Sequence, residues 1–82
     1  MDRTNIEPIV VGIIQQQACL TLTRELYDAD LTGLGIDSLM ALDIANELED
    51  ALDAVIDDRE VLRFRCVNDI LDYLARAEVS GA

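Results

Sequence analysis

One hydroxyl in this chain stands where it can be chemically modified. In the run Leu34-Gly35-Ile36-Asp37-Ser38-Leu39, Gly33 and Gly35 bracket Leu34 and break whatever regular structure precedes them. Asp37 then offers an N-cap, and a helical pattern begins at once. Ser38 therefore falls on the first turn of a helix and is presented by a loop. The first turn carries backbone N–H groups without intrahelical partners, and the aligned peptide dipoles leave partial positive charge there. A phosphate carried on Ser38 would sit in that field. Gly35 lets the backbone bend and keeps the approach free of a side chain. The Asp37 carboxylate competes for the same helix end. It is expected to turn away from a group attached to Ser38, or to face whatever approaches that hydroxyl. A hydrolase nucleophile does not fit, because the chain has no histidine to act as base and no Gly-x-Ser-x-Gly spacing.

The composition narrows the other options. The 82 residues allow one domain, expected over residues 1–82 with a core at about 5–77. The formal charge is −11, with 17 acids against six arginines and no lysine. Nucleic acid is excluded as a partner, since binding phosphates needs a basic face. Basic protein surfaces are the complementary partners. The carboxylates show no spacing that specifies a metal site. Cys19 and Cys66 are far apart and form no C-x-x-C pair, so they read as two small core residues in a reducing compartment, with a disulfide or a reactive thiol as the alternatives. The start of the chain does not look like a signal peptide, and the apolar run Ile9 to Ile14 is too short to span a bilayer. A soluble, cytoplasmic, monomeric protein is expected.

The elements that must position Ser38 follow from periodicity. A first helix is expected over about residues 5–20, capped at Thr4 or Asn5 with a Thr4-x-x-Glu7 capping box and Pro8 in its first turn. Ile6, Ile9, Val10, Ile13 and Ile14 form its stripe, and Gln15 to Gln17 its exposed side and tail. Residues 21–37 form a long connection pinned by Leu26, Leu31 and Leu34, with a helical turn near Thr23–Tyr27. The second helix is expected from Ser38 to about Leu52, with Leu39, Leu42, Ala45, Leu48 and Leu52 inward and Asp43, Glu47, Glu49 and Asp50 opposite. Asp57-x-x-Glu60 opens a short third helix at about 58–64, anchored by Val61, Leu62 and Phe64. The last helix covers about 67–77, buries Val67, Ile70, Leu71 and Leu74, and ends in a frayed Val79-Ser80-Gly81-Ala82. The fold class is all-α.

The run Leu34-Gly35-Ile36-Asp37-Ser38-Leu39-Met40, at the start of a helix in the middle of a small, very acidic chain, resembles the attachment site of acyl carrier proteins. Residues 34–42 carry the specific likeness, and about residues 6–75 match in pattern. The resemblance implies a four-helix bundle with a short third helix and a long loop between helices 1 and 2. It implies a non-catalytic protein in which Ser38 carries a covalent 4′-phosphopantetheine arm, with Asp37, Gly35 and Leu39 around the attachment. It also implies that acyl groups are held on the arm as thioesters. The implied partners are a phosphopantetheinyl transferase, a ketosynthase, an acyltransferase and other acyl-handling enzymes with basic docking patches. In this family the second helix is the principal recognition surface, and here Asp43, Glu47, Glu49 and Asp50 lie on it. From Asp37 through Asp58 there are eight acids and no base. Met40 is the expected partner contact, while Leu39 is expected to be shared between core and arm.

Some positions depart from the family pattern. Asp57 stands where many members have Pro, and Cys66 stands where a Thr commonly caps the final helix, leaving Asn68 to take over as cap. Asn46 replaces an apolar contact residue, and Arg59, Arg63 and Arg65 make the third-helix region unusually basic. These changes lean toward polyketide over fatty-acid assembly. Peptidyl carriers share the fold and arm, but they usually show Gly-Gly-x-Ser and are less acidic. An unmodified acidic interaction module with the carrier fold is the other alternative. A chain that begins with Met1 and lacks flanking linkers favours a discrete carrier.

Overall fold

The computed structural model describes residues 2–81, with side chains for residues 2–76. Among the described residues all regular structure is helical. The elements are α1 (Arg3–Ala18), α2 (Ser38–Leu52), α3 (Asp58–Val61) and α4 (Val67–Gly81), and two short 3₁₀ turns, Arg24–Leu26 and Thr32–Leu34, lie in the long connection. This is the expected all-α order with a short third helix. No helix among the described residues is long and apolar enough to cross a membrane.

The three long helices enclose one core. Ile6, Val10 and Ile14 of α1 meet Ile44, Ala45 and Leu48 of α2 and Val67, Ile70, Leu71 and Leu74 of α4. The stripes of α1 and α4 have the predicted spacing, except that Ile9 faces outward. The stripe of α2 keeps the expected Ala45 and Leu48 but is rotated from the expected one at its start. Leu39 is 69% exposed whereas Ile44 is 3% exposed, and Met40, Ala41, Leu42 and Leu52 are partly buried against the core. Each fully buried Ile, Leu or Val adds about 1.5–3 kcal/mol of apolar burial, so this rotation decides which side chains hold α2 in place.

The helix ends also differ in detail. Asp2, not Thr4 or Asn5, caps α1 by accepting the Thr4 N–H at 3.1 Å. The helix thus begins earlier than expected, and Pro8 falls in its second turn, where it removes one backbone donor on an exposed face. Cys19 ends α1 in the left-handed region, with φ 54°. No glycine is near enough to take that position. Its side chain is exposed and Cys66 is half-buried, so neither is the core residue expected, while both are free thiols. Gln15 is not simply solvated: its Oε1 accepts the Leu22 N–H at 2.8 Å and fixes the chain leaving α1. α4 continues past the expected stop to Gly81, since Ala77, Glu78, Val79 and Ser80 include no glycine or proline to end it. Ala82, at the end of the expected frayed segment, lies outside the described residues.

The long connection is anchored by Leu22, Leu31 and Ile36, all buried; Leu26 and Leu34 pack only partly against the core. Its backbone is stitched to the entrance of α4. The Leu31 N–H donates to the Arg65 carbonyl at 2.9 Å, and the Asn68 N–H donates to the Tyr27 carbonyl at 3.1 Å. The Asn68 side chain does not cap α4. It donates to Asp28 and accepts from Arg3, which also pairs with Asp72. Asp69 instead reaches back from the first turn and accepts the Arg65 N–H at 2.9 Å. Nearby, the Tyr27 hydroxyl donates to Glu7 at 2.9 Å. Burial, and then this bond, push the phenol above its ordinary pKa.

Candidate functional site

Ser38 is the first residue of α2 and is exposed. Three features place it. Ile36 is 2% exposed and buries the loop two residues before it, with its N–H bonded to the Leu31 carbonyl at 2.9 Å. Gly35 takes φ 86°, which lets the chain turn out of the Thr32–Leu34 turn and into α2. A Cβ at Gly35 would meet nothing within 4 Å, so the glycine is needed for its backbone angle rather than for clearance. Asp37 closes the helix end: its Oδ1 accepts the Met40 N–H at 2.8 Å, and its carbonyl accepts the Ala41 N–H at 2.9 Å. That carboxylate is committed to the helix, one residue from the hydroxyl.

Beside Ser38 lies an open groove of about 170 Å³ between the loop, the start of α2 and the α3 region. Leu31, Ile36, Ala41, Val61 and Phe64 supply its apolar wall, and Asp30, Asp37 and Arg65 its charged groups. Four of those apolar residues, Leu31, Ile36, Ala41 and Phe64, also line a residual core void of only about 10 Å³, room for about one water. Ala41 and Ala45 line that void, as small residues would, while Ala51 is exposed and contributes nothing.

The expected contact residues are divided by the structure. Leu39 is the solvent-facing side chain beside Ser38, and Met40 is the one partly buried, the reverse of the expected burial. The helical phase explains this: Met40 lies one turn before Ile44 and shares its face. Asp43, Glu47 and Asp50 are exposed along α2, with Glu47 accepting from the Gln17 side chain. Glu49 is half-buried and accepts the Ile56 N–H at 2.8 Å, so it braces the α2–α3 connection.

The α3 helix is shorter than the sequence pattern predicts. Asp57 caps it, accepting the Arg59 N–H at 2.8 Å. This bond, then that of the Arg59 guanidinium, holds the Asp57 carboxyl below its ordinary pKa. Glu60 faces Arg63 at 3.7 Å. The helix stops at Val61 because Arg63 and Phe64 donate to carbonyls three residues back, tightening the last turn. Leu62, expected as an anchor, is 60% exposed, whereas Val61 is buried and Phe64 is partly buried edge-on to Tyr73. Sequence reasoning missed Ile36 and Arg65 as parts of the site. The adjacency of Ile36 to Ser38 was a usable signal, but that of Arg65 arises only in the folded chain.

Ser38 thus stands at a capped helix start, held by a buried anchor and open on one side. Comparison with known proteins identifies the family. The family model described as phosphopantetheine attachment site matches residues 9–74. An acyl carrier protein of Syntrophobacter fumaroxidans (strain DSM 10017 / MPOB) is 34% identical over 79 residues, spanning 93% of this chain and 95% of that protein. The crystal structure of an acyl carrier protein from Thermotoga maritima superposes with a TM-score of 0.82 at 23% identity, covering all of this chain and 96% of that one. The chain belongs to the acyl carrier protein family, with 4′-phosphopantetheine as its covalent group.

Proposed function

We propose that Ser38 is the attachment residue and that the chain forms a single carrier domain serving fatty-acid- or polyketide-type enzymes. The observation that carries this reading is the exposed hydroxyl at the first position of α2, beside an open groove, with the neighbouring carboxylate folded into the helix end. When bound, the arm supplies a thiol on which acyl groups are held as thioesters. The protein's own residues hold and present it. Gly35 and Asp37 set the backbone at Ser38, and Ile36 fixes that backbone to the core. Leu39 offers an apolar contact beside the hydroxyl, replacing Met40 in that role. Asp43, Glu47 and Asp50 offer an acidic face to a phosphopantetheinyl transferase and to acyl-handling enzymes with basic patches. Glu49 acts mainly through the α2–α3 connection. The chain contributes no catalytic group of its own and works in the cytoplasm as a monomer.

The interior bears on cargo. With about 10 Å³ of free space, the core as it stands has no room for a chain of methylenes, and the helices around it must part to admit one. The proposal is tested by intact-protein mass spectrometry after incubation with coenzyme A, Mg²⁺ and a broad-specificity phosphopantetheinyl transferase. One arm-sized gain on the native chain and none on Ser38→Ala is the expected result. No gain, under conditions that fully convert another carrier, overturns it.

A further inference from the structure

We infer that Arg65 is the built-in counter-cation for the phosphodiester that joins the arm to Ser38; the inference rests on the attachment reading above. Among the described residues, Arg65 is the one cation lining the groove that Ser38 lines. Its backbone is held from both sides: the carbonyl accepts the Leu31 N–H and the N–H donates to Asp69, both at 2.9 Å. The position of its backbone relative to the loop before Ser38 is therefore fixed by the fold. Its guanidinium has no ion partner among the described residues. The other arginines of this segment are committed, Arg59 to Asp57 at 3.4 Å and Arg63 to Glu60 at 3.7 Å.

The remaining charges at the groove favour a counter-cation there. Asp30 and Asp37 both line it, so a phosphodiester on Ser38 enters a locally negative site. Asp37 already takes the Met40 N–H, which removes one of the donors the helix end would offer. A guanidinium presents several N–H donors in a planar fork suited to phosphate oxygens. Arg65 thus draws the phosphodiester toward the α3 side of the groove and away from Asp37. The root of the arm acquires a preferred direction before any partner binds.

The test is a cycle of modification against mutation. Wild-type protein, Arg65→Gln and Arg63→Gln are each prepared before and after arm loading, with loading confirmed by intact mass. Arg63→Gln removes the same charge from the same segment without touching the groove. The change in Tm on loading is expected to be less favourable in Arg65→Gln than in wild type by about 2–5 °C. It is expected to be unchanged in Arg63→Gln, and the difference should shrink in high salt. The ³¹P resonance of the loaded protein should shift in Arg65→Gln alone, and Arg65→Lys should restore part of both effects. Full loading with equal behaviour of Arg65→Gln and Arg63→Gln overturns this inference and leaves the attachment reading standing. Failure of the wild-type chain to load overturns both.

Discussion

The rotation of α2 can be tested with two truncations on the same helix, Leu39→Ala and Ile44→Ala. Ile44 is 3% exposed and sits among Ile14, Leu31 and Ile36 at the centre of the fold. Truncating such a residue costs about 2–5 kcal/mol, since the lost transfer energy and the cavity add. The better helix propensity of alanine returns only a few tenths of a kcal/mol. Leu39 is 69% exposed, so about a third of its burial is at stake. Full burial of Leu is worth about 1.5–3 kcal/mol, which leaves roughly 0.3–0.8 kcal/mol after the propensity gain. For a domain of this size each kcal/mol moves Tm by about 4–8 °C. Ile44→Ala should therefore lower Tm by at least about 8 °C and Leu39→Ala by no more than about 6 °C, measured by circular dichroism and by urea midpoints. Leu39→Ala should instead slow arm transfer to Ser38, by roughly five- to thirty-fold in kcat/KM if the side chain is a central contact for the transferase. Equal losses of stability, or a larger loss for Leu39→Ala, would refute the helical phase described here and restore the stripe read from leucine spacing.

Two further outcomes follow from the loop and the polar contacts. Gly35→Ala should cost about 1 kcal/mol, because φ 86° is unfavourable for a side chain even though the space is open. Gly33→Ala, whose Cβ would meet only the Asp30 Cβ at 3.9 Å, should be neutral or slightly stabilising, and urea midpoints separate the two. Tyr27 has a folded pKa raised above 10.0, so its contribution to stability is complete below that value and is lost as pH rises through the raised one. Stability measured from about pH 8 to 11.5 should fall more steeply in the native chain than in Tyr27→Phe, and parallel curves would count against the Tyr27–Glu7 bond.

The parts of the fold that were legible in the sequence are those where one apolar stripe stands against polar neighbours. In α4, Val67, Ile70, Leu71 and Leu74 have Asp69 and Asp72 beside them, and all four are buried as spacing predicts. In α2 the first turns are apolar nearly all round, with Leu39, Met40, Ala41, Leu42 and Ile44 interrupted only by Asp43, so periodicity alone fits two phases. The choice between them is made by Leu31 and Ile36, which the loop lays against the Ile44 side. Ser38 was legible because its signals are local: glycines, a cap and a helix start. Arg65 was not, because it comes to the groove that Ser38 lines only in the folded chain, where its backbone is bonded to Leu31. Cys19 misled because small apolar character suggests burial, while a helix end without a nearby glycine imposed a left-handed residue there.

The two backbone bonds that join the long connection to the entrance of α4 also bear on how the protein opens. They link Leu31 to Arg65 and Tyr27 to Asn68, partners separated by all of α2 and α3. Such pairings close only after the chain between them has docked, which raises the contact order of a helical protein otherwise built from near neighbours. They also tie the connection to the unit formed by α1, α2 and α4, and it is expected to open only with that unit. The Leu31 and Asn68 amides should then exchange with deuterium only when the whole molecule unfolds. A segment that looks like a slack tether on paper is, in kinetic terms, part of the last structure to let go.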